Sequence, residues 1–111
     1  MTGIDLVKAQ IRIAEGGIIG SDVALPSQSE IKVSGHAIQC RITTEDPTND
    51  FMPDYGKIIA YRSASGFGIR LDAGTAAAGA VVMPYYDSLL VKVTSKSRDI
   101  DECCRRMDWA L

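Results

Sequence analysis

Hydrophobic and polar positions along the chain fall into recognisable periods. In "TGIDLVKAQIRIAE", residues 2–15, Ile4, Val7, Ile11 and Ala14 recur at three- and four-residue spacing and make one apolar face of a helix. Thr2 can cap it with Asp5 in the capping-box position, and Gly16-Gly17 ends it. "IIGSDVALPSQSE" mixes Gly, Pro and Ser without a clean period and reads as a partly buried loop. "IKVSGHAIQCRITTED" reads as extended chain. Ile31 and Val33 hold one phase, Ile38, Cys40 and Ile42 hold the opposite one, and a bulge or tight bend falls near Ser34-Gly35.

"DPTNDFMPDYG" reads as a loop on its prolines, Asn49 and terminal glycine. "KIIAYRS" and "GFGIRLD" predict two strands with "ASG" as a hairpin turn between them. "AGTAAAGAVV" is a small, flexible connection, and "SLLVKVTS" is apolar and continuous enough for a central strand. In "RDIDECCRRMDWAL", Ile100, Cys103 or Cys104, Met107 and Leu111 share a helical face. Ser97 or Asp99 caps this helix, with acids leading and arginines following as the helix dipole favours. Helix, four or five strands, helix predicts an α+β fold: a small antiparallel β-sheet flanked by an N-terminal and a C-terminal helix.

Size and charge narrow the function. The 111 residues suffice for one domain with a modest core, and 46% apolar with 23% charged residues argues against disorder. A net charge of -2 argues against a nucleic-acid surface. No apolar run approaches the roughly 20 residues that span a bilayer, and the early residues do not form a signal peptide, so no membrane partner is expected. Cys40, Cys103 and Cys104 are odd in number and lack zinc-ligand spacing, so the expectation is buried thiols in a reducing compartment and no metal site.

Few motifs carry chemistry. "GTAAAG", Gly74 to Gly79, is superficially like a phosphate loop but lacks the following Lys and Ser/Thr, so a close-packing loop is the better reading. His36 lies on the apolar phase of its strand, as a core or edge residue. Glu45 and Asp46 point opposite ways on an extended chain and suit a turn before Pro47. Tyr85-Tyr86 before Asp87 could line a pocket or pack in the core. Arg41 is more informative. It shares its strand face with Ala37, Gln39 and Thr43. A strand arginine is commonly a solvated or ion-paired residue. A guanidinium is also a permanently charged planar fork of donors, suited to an anion or an enolate-like oxygen.

The stretches "TGIDLVKAQIRIAEG", "GHAIQCRITTEDP", "GKI", "GFGIRLD" and "PYYDSLLVKV" together resemble the C-terminal domain of biotin carboxylase, in that family's order and over nearly the whole chain. "QCRITTEDP" with "GIRLD" looks most like the pyruvate carboxylase branch, whereas acetyl-CoA and propionyl-CoA carboxylases usually read "ECRI" with "AEDP". The resemblance implies a ligase that uses ATP, Mg2+ and bicarbonate to carboxylate biotin at N1, with a neighbouring ATP-grasp lobe and a biotin carrier domain as partners. It implies that residues 1–111 are one domain of a larger enzyme. The ATP-grasp lobe would lie upstream and the domain's end downstream, with ATP-binding residues and cofactors outside this stretch and the stretch alone inactive. It assigns the arginine of "CRI", Arg41, to the charge on the biotin ureido oxygen, with Gln39 and Thr43 orienting it. "GFGIR" matches a dimer contact, making Phe67 and Arg70 interface candidates in a homo-oligomer; a hairpin with a packed Phe and a solvated Arg is the alternative. The compartment would be the cytoplasm, or the mitochondrial matrix in a eukaryote. "GIIGSDVALPSQ" and Trp109 match nothing in the resemblance. Two other readings stay open: the corresponding domain of an acetyl-CoA or propionyl-CoA carboxylase, and a free-standing non-catalytic α+β binding module.

Overall fold

The structure, a computed structural model, describes residues 1–22, 24–85 and 88–111. They form two compact units, Met1–Gly35 and His36–Leu111.

In the first unit helix α1 spans Leu6–Ala14, shorter at its start than expected. Asp5, not Thr2, is the cap: its side chain accepts from the Lys8 amide at 3.1 Å. Thr2 instead accepts from the Ile4 amide at 3.4 Å, in a turn ahead of the helix. The predicted stop holds. The Gly17 amide reaches the Arg12 carbonyl at 2.8 Å and the Gly16 amide the Ile13 carbonyl at 3.0 Å, a Schellman ending. No residue of α1 is buried, so the Val7–Ile11 face lies open. The following loop buries Leu25, as its mixed pattern suggested. The extended segment expected from Ile31 is not a strand before His36. Gly35 takes φ +74° in a bend there, the second of the two expectations, and the bend falls at the unit boundary.

In the second unit, strands β1 (His36–Thr43), β5 (Ile69–Ala73) and β7 (Leu89–Ser97) make an antiparallel sheet in the order β1-β7-β5. β7, the apolar run, is central as expected. Two short ladders pair β2 (Glu45–Asp46) with β3 (Met52–Pro53) and β4 (Gly56–Lys57) with β6 (Val81–Val82). "KIIAYRS" is therefore not the strand its composition predicts. Only its first residue is in a ladder, and Ile59 is 94% exposed. The "ASG" hairpin is absent with it, and the chain instead turns into β5 where the Ile69 amide meets the Gly66 carbonyl at 3.1 Å. "AGTAAAGAVV" is not merely a connection, because it buries Ala76 and Val82.

Helix α2 (Ile100–Ala110) starts at Asp99, whose side chain accepts from the Glu102 amide at 2.8 Å. Ala76, Val91, Val93 and Met107 form the core cluster, with Ile38, Cys40, Ile42, Ile69 and Leu71 packed around it. The predicted helical face is buried only in its middle, at Cys103 and Met107, while Ile100 and Leu111 are exposed. No basic residue reaches the last turn, because the two arginines sit mid-helix. The thiols also divide: Cys103 is 0% exposed, Cys40 is half-buried and Cys104 lies exposed, against the expectation that all three pack inside. The buried Ser95 hydroxyl on β7 donates to the Cys103 carbonyl at 3.0 Å, so this hydroxyl in the layer under α2 is satisfied.

Candidate functional site

Residues directly opposite across antiparallel strands share a sheet face. The registers therefore sort the sheet into two sides. Cys40–Val93–Leu71 and Ile38–Ser95–Ile69 cross the face that α2 covers. Arg41–Lys92–Asp72 and Gln39–Thr94–Arg70 cross the other, where Ala37 stands opposite Lys96. Four positive side chains and one negative one thus stand on one sheet face of a chain whose net charge is -2.

Arg41 is exposed in mid-strand on this face. Gln39 donates through Nε2 to the Thr94 hydroxyl at 3.1 Å. Thr43 is half-buried opposite Leu89, just past a register shift between Ile42 and Thr43. Arg70 donates through Nε and Nη2 to Asp72 Oδ1 at 2.9 and 2.7 Å. Sequence reasoning missed Lys92 and Thr94. Their signal was the alternation of Lys92, Thr94 and Lys96 with Val91, Val93 and Ser95, hidden by reading the run as uniformly apolar.

Phe67 and Arg70 lie three residues apart, just before and at the start of β5. Arg70 belongs to the polar sheet face, whereas Phe67 lines a groove of about 460 Å³ with Ile69, Glu102, Arg106 and Trp109. Phe67 is 100% exposed and Trp109 80%. The Arg106 guanidinium pairs with Glu102 and donates from Nη1 to the Phe67 carbonyl at 2.8 Å. It passes so close to Gly68 that a Cβ there would fall 1.8 Å from Nη1, and Gly68 also has φ +82°. Only glycine fits this turn.

The Gly74 amide donates to the Leu90 carbonyl at 2.8 Å, and a Cβ at Gly74 would lie 2.6 Å from the Leu89 carbonyl. The "GTAAAG" loop thus begins packed against β7. Glu45 accepts from the Ser88 hydroxyl at 2.8 Å. Asp46 Oδ1 accepts from the Thr48 hydroxyl at 2.7 Å and amide at 2.9 Å, the turn role expected of it. These donors hold its carboxyl below the usual carboxylate range, the hydroxyl contributing most. His36 is exposed at the start of β1, opposite Ser97. Tyr85 is exposed, and Tyr86 and Asp87 lie outside the described residues. Among the described residues, no group of three or more His, Cys, Asp or Glu side chains could hold a metal ion. Nor is any of their helices long and apolar enough to cross a membrane.

The family model for the biotin carboxylase C-terminal domain matches residues 39–111, from within β1 through the rest of the sheet and α2. The chain belongs to that family. It is 55% identical over 108 residues to pyruvate carboxylase of Staphylococcus aureus, and 50% identical over 111 residues to human mitochondrial pyruvate carboxylase. These alignments cover 96% and 100% of the chain but 9% of either relative. Pyruvate carboxylase of Rhizobium etli, solved as its T882A variant with the allosteric activator acetyl coenzyme A, superposes with a TM-score of 0.88 at 58% identity. That superposition covers 98% of this chain and 11% of the other. The complete Rhizobium etli enzyme gives a TM-score of 0.87. The α+β fold is therefore that of the biotin carboxylase C-terminal domain in pyruvate carboxylases, the branch indicated by "QCRITTEDP" and "GIRLD".

Proposed function

We propose that this domain works in a pyruvate carboxylase, in the ATP- and bicarbonate-dependent carboxylation of biotin, and that Arg41 is its catalytic residue. The observation that carries this is the position of Arg41, exposed in mid-strand on a sheet face of net positive charge. Biotin, when bound, supplies the ureido nitrogen that accepts the carboxyl group. Arg41 would present planar, permanently protonated donors to the ureido oxygen of a bound biotin, where charge develops as the nitrogen becomes nucleophilic. A preorganised donor aimed at developing charge contributes roughly 3 kcal/mol to the rate. The Gln39–Thr94 hydrogen bond fixes the neighbouring row of the face, and Thr43 stands two residues beyond Arg41. Both bear on how the guanidinium is held.

The "GTAAAG" loop spends its first amide on β7, and no step here is assigned through a nucleotide or its magnesium. ATP and Mg2+ belong to the ATP-grasp lobe of the whole enzyme, and biotin to its carrier domain. Assembly in a homo-oligomer is supported by the fully exposed Phe67 and by Arg70. The human relative is mitochondrial by name, and the compartment proposed is the mitochondrial matrix for a eukaryotic enzyme and the cytoplasm for a bacterial one.

The test is to make Arg41→Ala and Arg41→Lys in a full-length pyruvate carboxylase carrying this domain. Turnover of biotin-dependent ATP cleavage falls about 100- to 1,000-fold while ATP binding is unchanged. Unaltered turnover in folded Arg41→Ala enzyme overturns the assignment.

A further inference from the structure

Arg41 lies near the end of an edge strand. The order β1-β7-β5 gives β1 one neighbour in the sheet, so the backbone at Arg41 is held by the β1–β7 ladder. That ladder shifts register one residue beyond Arg41. Ile42 stands opposite Val91 but Thr43 stands opposite Leu89, so Leu90 is passed over. A bulge of this kind bends the strand, raises its twist and re-aims the side chains beside it. A strand end at such a point frays unless it is tied down. Here it is tied from two directions. The Leu90 carbonyl accepts from the Gly74 amide at 2.8 Å and the Ala76 amide at 3.2 Å. The Thr44 amide donates to the Ser88 carbonyl at 3.1 Å. Past Thr44 the chain leaves β7 for another ladder: the Thr44 carbonyl accepts from the Asp54 amide at 2.8 Å, and Glu45 pairs with Pro53 in β3. A side-chain bond draws the departing chain back. The Ser88 hydroxyl, on a residue only 5% exposed, donates to Glu45 Oε1 at 2.8 Å across 43 positions of sequence. A hydrogen bond to a carboxylate is stronger than one between neutral groups, and a buried hydroxyl is costly to leave unpaired.

We propose that Glu45 is a positioning residue for the catalysis assigned to Arg41: through Ser88 it clamps the bulged end of β1 to β7 and so sets the aim of the guanidinium. The proposal rests on the reading of Arg41 given above. Glu45 acts by accepting a hydrogen bond rather than by its charge, and it takes part in no step of the chemistry itself. A donor aimed at developing charge loses its effect when its strand shifts, so loss of the clamp falls on kcat more than on KM.

The experiment uses a full-length pyruvate carboxylase carrying this domain, with Glu45→Ala, Glu45→Gln, Arg41→Ala and the Arg41→Ala/Glu45→Ala pair, assayed by biotin-dependent ATP cleavage per folded molecule. Glu45→Ala lowers kcat about tenfold and leaves the KM for ATP unchanged. Glu45→Gln keeps half or more of the wild-type kcat, because its amide oxygen still accepts from Ser88. The pair is no more than about twofold slower than Arg41→Ala alone, because Glu45 acts through the guanidinium that is already gone. A merely structural bond would move thermal midpoints and leave the two losses multiplicative. Should Glu45→Ala unfold the domain, Ser88→Ala takes its place, since it removes the donor and leaves the carboxylate on an exposed residue. Unfolding of both overturns the proposal, because the bond then serves the fold alone. So does a wild-type kcat in Glu45→Ala, a Glu45→Gln enzyme as slow as Glu45→Ala, or a fully multiplicative loss in the pair. If Arg41→Ala is slow and Glu45→Ala is not, this inference alone fails. If Arg41→Ala keeps its turnover, the reading of the site fails with it.

Discussion

The two faces of one three-stranded sheet differ in almost every respect. Under α2, Val91, Val93, Met107 and their neighbours exclude water, and even the serine in that layer has its hydroxyl bonded to the helix backbone. On the other side, alternate residues of the same strands present Arg41, Lys92 and Arg70, and the charges stand in rows across the strands. One strand thus serves two purposes one residue apart, because successive side chains point to opposite faces. Buried packing is concentrated on the face under α2, and the chemistry proposed for Arg41 belongs to the other. Substitutions should separate them.

The largest effect is expected on the polar face. Arg41→Ala costs about 100- to 1,000-fold in turnover of a full-length enzyme, yet shifts domain stability by only about 0.5 kcal/mol, as surface substitutions do. Kinetics alongside thermal denaturation reads both quantities. A domain that unfolds while the surviving folded enzyme keeps its turnover makes Arg41 a structural ion-pair residue and erases the contrast between the faces.

Met107→Ala is the converse. It opens space in the core beneath α2 and lowers unfolding free energy by about 2–5 kcal/mol, with turnover per folded molecule preserved. Denaturant titration measures the first and active-site-normalised kinetics the second. Asp99→Ala removes the α2 cap and costs about 1 kcal/mol by the same titration. A loss no larger than that of an arbitrary surface change would mean that packing, not the cap, sets where α2 begins.

The smallest effect belongs to the ladder beyond the sheet. Thr48→Val removes the hydroxyl donor to Asp46, so the Asp46 carboxyl returns toward its ordinary range, seen by NMR titration. The sign follows from a folded-state value held below the unfolded one. The stabilisation is present above the ordinary carboxylate range and is lost as pH falls through the depressed value, and Thr48→Val weakens that dependence. An unmoved titration would show that the Thr48 amide alone holds it.

Much of this was legible in the sequence. The alternation in "HAIQCRIT" fixes which side of β1 carries Arg41, and the apolar run from Leu89 marks the central strand. Gly16-Gly17 stops α1, and Asp99 starts α2 as one of two foreseen caps. These are local signals, set by backbone period and by side chains within a few residues. Local signals also misled. "KIIAYRS" has strand composition but almost no ladder partner among the described residues, and strand propensity is realised only where a neighbour accepts the edge. Cys103 and Cys104 were equivalent candidates for the helical face until packing chose the first.

What the sequence determined, then, is periodicity, capping, charge balance and the family motifs, all properties of residues close in the chain. Only the tertiary structure decided that Lys92 stands opposite Arg41 on one side and Asp72 on the other. It alone brought Phe67 to the rim of a groove beside α2 and aligned Arg70 with Thr94. The reason is register. Pairing β1 with β7 joins residues some fifty positions apart, as the Gln39–Thr94 bond does at a separation of 55. A slip of one residue would put the same cations on the buried face.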